Sequence, residues 1–246
     1  MSSSPHARNP FGVTKAVDLN DSQIQNLWVD VLSIGDELSH FAHPNSAMPS
    51  LVLGAKGSGK THLMRYHSFE LQMLRYGANP TAKEIQAGVA NDGYIGIYAL
   101  CGSINSSRFR GKRQSEEKWR EIFAYYLELW LSHHLLQVVE KLQLGEEVES
   151  TLCVAIGQLF DRPLANQVRT VRELGDQIAT LQRDLDYHVN NAVMTGKLDV
   201  EILVTRGRLI FGIPKLLASH CEFLKSALFV YAIDEFENLT IEQQQV

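Results

Sequence analysis

Eight consecutive residues, Gly54-Ala55-Lys56-Gly57-Ser58-Gly59-Lys60-Thr61, have the types and spacing to hold a run of phosphate groups. Glycines at 54, 57 and 59 permit backbone angles with φ > 0, so that successive N–H groups can converge on an anion. A helix opening at the loop adds its partial positive end and its unpaired N–H groups. Lys60 then reaches the β- and γ-phosphates, and the Thr61 hydroxyl completes the coordination shell of a Mg²⁺ ion. His62 borders the same cradle and is expected at the helix surface rather than in a catalytic role. A chance match of the fixed positions over a chain of this length has a frequency of roughly 1%. The ligand these residue types select is a nucleoside triphosphate, ATP with Mg²⁺.

A second element of that chemistry is an apolar strand ending in a carboxylate aimed at the metal. Leu228-Phe229-Val230-Tyr231-Ala232-Ile233-Asp234-Glu235 supplies it. Asp234 would bind the metal through water. Glu235, one residue further on, would orient and deprotonate the attacking water. On its own, a strand ending in two acids is as often a solvated strand end; the glycine loop upstream favours the functional reading.

The elements that must position these residues follow from pattern. Asn20 and Gln23 have capping-box spacing and open a helix with Ile24, Leu27, Trp28, Val31 and Leu32 on one face; the Pro-, Asn- and Ser-rich stretch 43–49 ends it. Leu51-Val52-Leu53 reads as a strand entering the glycine loop, and Leu63, Met64, Phe69, Leu71 and Leu74 mark the helix leaving it. A polar stretch at Asn79-Pro80 and a turn at Asn91-Asp92-Gly93 lead to a buried strand over 94–100. A basic loop with Arg108, Arg110, Lys112 and Arg113 follows. It reads as a solvated loop, with nucleic-acid contact or a trans-acting arginine as the sharper alternatives.

From Ser115 to about Leu144 a long helix is apolar around most of its circumference and is expected to be buried on more than one side. Gly145 breaks it, and a shorter helical stretch follows. Pro163 is expected to open a second long helix, with Leu164, Val171, Ile178 and Leu185 at one heptad position and Leu174 and Leu181 at another. A coiled-coil-like arm and an ordinary core helix both fit that spacing. The stretch 207–214 precedes a further helix carrying Leu216, Leu217 and Leu224. Thr240 and Gln243 have capping-box spacing and mark the first turns of one more helix. Trp28, Trp119 and Trp130 read as core. His133-His134 has no partner at helical spacing for a metal site.

Composition bounds the class. With 246 residues, 45% of them hydrophobic and 21% charged, the chain is an ordinary globular protein, and a net charge of −5 sets up no global field that would draw it to nucleic acid or an anionic membrane. Residues 1–8 are polar and read as unordered. No run approaches the roughly 18 apolar residues of a membrane span, and the start lacks a secretory signal. Cys101, Cys153 and Cys221 form neither a paired framework nor a metal spacing, which suits buried thiols in a reducing, cytoplasmic setting.

The pairing of glycine loop and Asp-Glu strand end resembles the additional-strand class of P-loop ATPases. Within it, the chain is similar to AAA+ ATPases of the origin-recognition-complex type and their bacterial members. The stretches that carry the resemblance are Asn9-Pro10-Phe11, residues 53–65 and residues 232–244. It implies an α/β fold, the three-layer parallel sheet of P-loop NTPases, with a helical insertion. Residues 1–19 would be an extended lead-in, 20–110 and 226–246 the nucleotide core, and 111–225 the helical region. It also implies an ATPase, forming ADP and phosphate, that assembles with copies of itself or a partner protein and remodels a DNA or protein complex. DNA stays open as a target with no residue here that shows it. The alternative is a nucleotide-gated switch or scaffold of signalling or defence type, with little turnover. A GTPase is disfavoured because no Asn-Lys-x-Asp element occurs. The family's sheet has a further polar-tipped strand between the loop strand and the Asp-Glu strand. The chain ends at Val246, so the expectation is a truncated protein with an incomplete sheet that binds nucleotide without necessarily hydrolysing it.

Overall fold

The computed structural model describes residues 16–28, 48–162, 164, 168–195 and 198–246. The Asn9-Pro10-Phe11 stretch of the resemblance, Val31, Leu32 and the Pro163 helix start lie outside the described residues.

Helix α1 spans Asp21–Leu27, and its start is fixed by the Asn20–Gln23 capping box, each side chain accepting from the other's backbone N–H at 2.9 Å. Ile24 is buried, but Leu27 is 59% exposed, so the apolar face is narrower than the periodicity predicts. The helix after the glycine loop is two helices, α2 over Lys60–Tyr66 and α3 over Phe69–Tyr76. The break at His67 and Ser68 sits on the next strand. A Cβ on Gly96 would lie 1.7 Å from the His67 carbonyl oxygen, so only glycine lets this corner close.

The stretch read as polar linker and turn contains a helix, α4, over Ala82–Asp92. Thr81 and Glu84 form its capping box, Ile85 and Val89 are its buried side, and Gly93 at φ 72° ends it in the left-handed conformation. Those signals were present in the sequence at the spacing used elsewhere.

Strand β1, Tyr94–Leu100, lies parallel to β2, Leu228–Asp234, with Tyr98 opposite Ala232 and Leu100 opposite Asp234. Among the described residues these two strands make the whole sheet. Residues 51–53 join no ladder, and Leu51 and Leu53 are 74% and 81% exposed. The expected loop strand is therefore not formed as a strand: an extended segment without a neighbour has nowhere to place its backbone hydrogen bonds except water.

The outer edge of β1 is closed by one side chain. Gln72 of α3 is fully buried; its amide donates to the Tyr94 carbonyl at 3.0 Å and its carbonyl accepts from the Gly96 N–H at 3.0 Å. A single glutamine so replaces the two hydrogen bonds a neighbouring strand would make there.

Helix α5 spans Glu116–Lys141, α6 Glu146–Gly157, α7 Val171–Thr195 and α8 Arg208–His220. Helix α5 packs on β1 and antiparallel to α7: Arg172 pairs with Glu140 near one end, and Lys112, ahead of α5, donates to the Val189 carbonyl near the other. Val171, Leu174, Ile178, Leu185 and Val189 of α7 share one buried cluster with Ile122, Phe123, Leu129 and Leu135 of α5 and Ile95 and Ile97 of β1. The heptad pattern thus resolves as a core helix and not as a projecting arm. Burial of each such side chain contributes on the order of 2 kcal/mol, whereas an exposed pair such as Arg172–Glu140 is screened by solvent, so apolar packing holds α5 to α7.

Helix α8 starts earlier than its leucines predict and contains Pro214. Two groups make that tolerable. The buried Glu128 carboxylate of α5 accepts from the N–H groups of Gly207, Leu209 (3.0 Å) and Ile210 (3.3 Å), capping the helix start. Burial pushes its carboxyl above the usual carboxylate range while those donors pull it back. Pro214 offers no N–H to the Ile210 carbonyl four residues earlier, and the Tyr231 hydroxyl of β2 donates to that oxygen instead, at 2.9 Å. Leu224 lies past the helix, buried in a 3₁₀ turn over Glu222–Leu224.

Tyr231→Phe is expected to cost about 1–3 kcal/mol in urea denaturation, because it leaves the Ile210 carbonyl unpaired. Adding Pro214→Ala should recover most of that loss by restoring the N–H. Strict additivity of the two changes would show that the hydroxyl does not substitute for the missing donor.

Candidate functional site

The glycine loop is solvent-exposed and leads directly into α2. Gly57 and Gly59 have φ of 86° and 90°, the left-handed values that the glycine spacing predicts. At Gly54 a Cβ would meet the Ser58 hydroxyl oxygen at 2.3 Å, so any side chain there would have to displace that hydroxyl. Ser58 N–H donates to the Ala55 carbonyl at 3.1 Å, closing the turn that carries Lys56. The Lys60 ammonium lies on the loop itself, donating to the carbonyls of Gly54 at 2.7 Å and Ala55 at 3.2 Å. Thr61 occupies the first turn of α2.

Helix α2, which the glycine loop opens, packs against β2, the strand that ends in Asp234. Asp234 is 4% exposed. One carboxylate oxygen accepts from the Glu235 N–H at 2.9 Å and the other from the Tyr98 hydroxyl at 2.9 Å. Held by two neutral donors, the buried Asp234 carboxylate has the chemistry of a divalent-metal ligand.

Glu235 sits at φ 55°, left-handed without being glycine. That conformation turns the chain out of β2 into a 3₁₀ turn, Phe236–Asn238. The Glu235 carboxylate accepts from the Asn238 side-chain amide at 2.9 Å and rests where a Cβ on Gly102 would be, 1.9 Å from one of its oxygens. Sequence reasoning missed Tyr98, Gly102 and Asn238. Only Asn238, three residues after Glu235, was within reach of a local signal.

His62 stacks near Trp28 with ring centroids 5.8 Å apart, and Trp28 lies flat on Tyr66 at 3.7 Å. Burial, and then the neighbouring Arg65, lower the His62 pKa. Trp28 is only half-buried, unlike the buried Trp119 and Trp130. Arg65 ties α2 to the segment before it, donating to the carbonyls of Ala16 and Leu19 and pairing with Asp21, each at 2.7 Å.

In the basic loop, Arg108 pairs with Asp186 of α7 at 2.7 Å and lies over the rings of Phe109 and Tyr126. Lys112 is committed to the Val189 carbonyl and the Trp119 ring. Arg110 and Arg113 are the exposed members of the four. All three cysteines are free and buried, and among the described residues no cluster of His, Cys, Asp or Glu has metal-binding geometry. Among the same residues no helix is long and apolar enough to cross a membrane.

Fold and site together define a mixed α/β protein in which a glycine loop opening a helix packs against an acid-tipped strand. The chain belongs to the ORC-CDC6-like family, whose model matches residues 9–246. That family is of AAA+ ATPase type. No curated protein and no solved structure gives a significant match.

Two outcomes check this geometry. Glu235→Gly is expected to be more stable than Glu235→Ala by about 1 kcal/mol, since only glycine takes φ 55° without strain; equal urea midpoints would remove the strain from the description. Burial, followed by the nearby carboxylates of Asp234 and Glu235, pushes the Cys101 thiol up to about 11. Its thiolate fraction is then on the order of 0.001 at pH 8 and rises tenfold per pH unit. Native protein should therefore leave Cys101 unlabelled by a disulfide reagent at pH 8 while unfolded protein reacts within the mixing time.

Proposed function

We propose that this chain binds ATP with Mg²⁺ on residues 54–61 and forms the nucleotide core of an AAA+-type ATPase. The observation that carries the reading is the packing of α2, opened by the glycine loop, against the strand that ends in buried Asp234. Gly54, Ala55, Lys56, Gly57, Ser58 and Gly59 supply converging N–H groups to the phosphates, and Lys60 leaves its own loop carbonyls for the β- and γ-phosphate oxygens. Thr61 and Asp234 hold the metal, which when bound neutralises charge on the phosphates. His62 borders the site. Glu235 is the base that would orient water once its carboxylate leaves Asn238.

The full three-layer parallel sheet belongs to this reading as well. Strand β2 is only partly buried along its apolar length, and Leu51 and Leu53 are exposed beside the loop, which supports a further strand between them. Residues 20–110 and 226–246 are then the nucleotide core and 111–225 the helical region. The family supports self-assembly and the coupling of turnover to remodelling of a DNA or protein complex, and the reading places that work in the cytoplasm. A second reading, a nucleotide-held switch with little turnover, is favoured by one observation: the Glu235 carboxylate is already engaged by Asn238.

The test is equilibrium binding of a fluorescent ATP analogue together with phosphate release. Lys60→Ala should weaken binding about 10–100-fold, the loss expected for a charge-assisted contact. Unaltered affinity would overturn the nucleotide reading. Glu235→Gln should retain binding and abolish release if the protein turns ATP over; binding without release by the unsubstituted protein selects the switch.

A further inference from the structure

The Glu128 cap, the Gln72 edge closure and the Tyr98 hydroxyl are directional contacts beyond the assigned roles. The first two satisfy backbone groups and are complete in themselves. Tyr98 instead binds a side chain at the site. Resting on the nucleotide reading above, we propose that Tyr98 is the positioning residue for Asp234, fixing its carboxylate in the orientation that receives the phosphate-bound Mg²⁺.

The sheet register puts it there. Tyr98 lies opposite Ala232 and Leu100 opposite Asp234, so Tyr98 and Asp234 share the face of the sheet that carries Gly96, against the corner between α2 and α3. Ala232 has the smallest side chain that still has a Cβ, which leaves room for the phenol ring to lean along the strand toward position 234. The hydroxyl reaches one Asp234 oxygen at 2.9 Å while the Glu235 N–H holds the other at 2.9 Å. Both ends of the carboxylate are therefore fixed, and its plane with them.

Among the described residues no cation pairs with Asp234. Arg65, whose charge acts on Tyr98, places its own donors on Ala16, Leu19 and Asp21. A carboxylate has about four acceptor positions, so Tyr98 and the Glu235 N–H leave two free for metal-bound water. Partners of this kind typically change metal affinity about 10–100-fold when removed.

The experiment titrates Mg²⁺ against binding of a fluorescent ATP analogue by the full chain, beside the same binding in excess chelator. Tyr98→Phe should raise the Mg²⁺ concentration at half-effect at least tenfold, leave metal-free affinity within about twofold, and add nothing further in an Asp234→Asn background. A midpoint equal to the unsubstituted protein's overturns the proposal. So does an equal loss with and without Mg²⁺, which marks a structural role. Should Tyr98→Phe fail to fold, Ala232→Val keeps the hydroxyl and displaces the ring, and the same shift is required of it. If the unsubstituted chain binds no analogue, the nucleotide reading falls. If it binds with a Mg²⁺ dependence that ignores both substitutions, only the role of Tyr98 does.

Discussion

The parallel pairing of β1 with β2 is the constraint on which the rest of the molecule depends. Its register sets Leu100 opposite Asp234 and Tyr98 opposite Ala232. Because side chains alternate across a sheet, a slip of one residue would turn Asp234 away from α2 and leave a charged group facing the apolar cluster of α5. The register is therefore held by the cost of burying a carboxylate on the wrong side as much as by the hydrogen bonds of the ladder. Ile95 and Ile97 on one face and the glycine at 96 on the other allow no second alignment: one face must meet α5, and the other must admit the His67 carbonyl.

A sheet this small survives because its polar backbone is satisfied from outside. Gln72 takes the place of a strand along β1, and Tyr231 links β2 to α8 by answering the carbonyl that Pro214 leaves open. Glu128 anchors the start of α8 to α5. In each case one buried side chain serves a backbone group on another element, where an unpaired group would cost about 1–3 kcal/mol. These contacts bind the helical layer to the strands that carry the site. Displacement of α8 would be felt at Tyr231 of β2, on the same strand as Asp234.

At the strand end, strain and satisfaction meet. Glu235 accepts a left-handed backbone, and its carboxylate is gathered in by Asn238 over Gly102. Ser106 donates to the Asn238 carbonyl, and Gln243 of α9 (Ile241–Gln244) donates to the Ser106 carbonyl, so the loop after β1 and the segment after β2 brace one another. The same loop is pinned to α7 through Arg108 and Asp186. The acid at the centre of the proposed chemistry is thus linked, through a short run of polar groups, to the helix whose heptad spacing fits an arm and a core helix alike.

Part of the fold and the makeup of the candidate site are legible in the sequence. The types and spacing of residues 54–61, the capping boxes at Asn20 and Thr240, and the apolar runs at 94–100 and 228–234 are local signals, and local backbone preference acts within a few residues. Helix α4 was equally local and was overlooked because Asn79-Pro80 and Gly93 resemble a loop when the Thr81–Glu84 spacing between them is not counted. The failure at residues 51–53 is of another kind: a strand is a property of a pair, and propensity in one segment cannot supply the neighbour. Likewise, nothing near Tyr98 in sequence announces Asp234, which is 136 positions away. By itself the sequence determined which groups could hold phosphate and metal, because that depends on residue type and short spacing. The tertiary structure alone decided which hydroxyl fixes Asp234, which amide holds Glu235 and which carbonyl needs Tyr231, because those depend on register and packing between segments far apart in the chain.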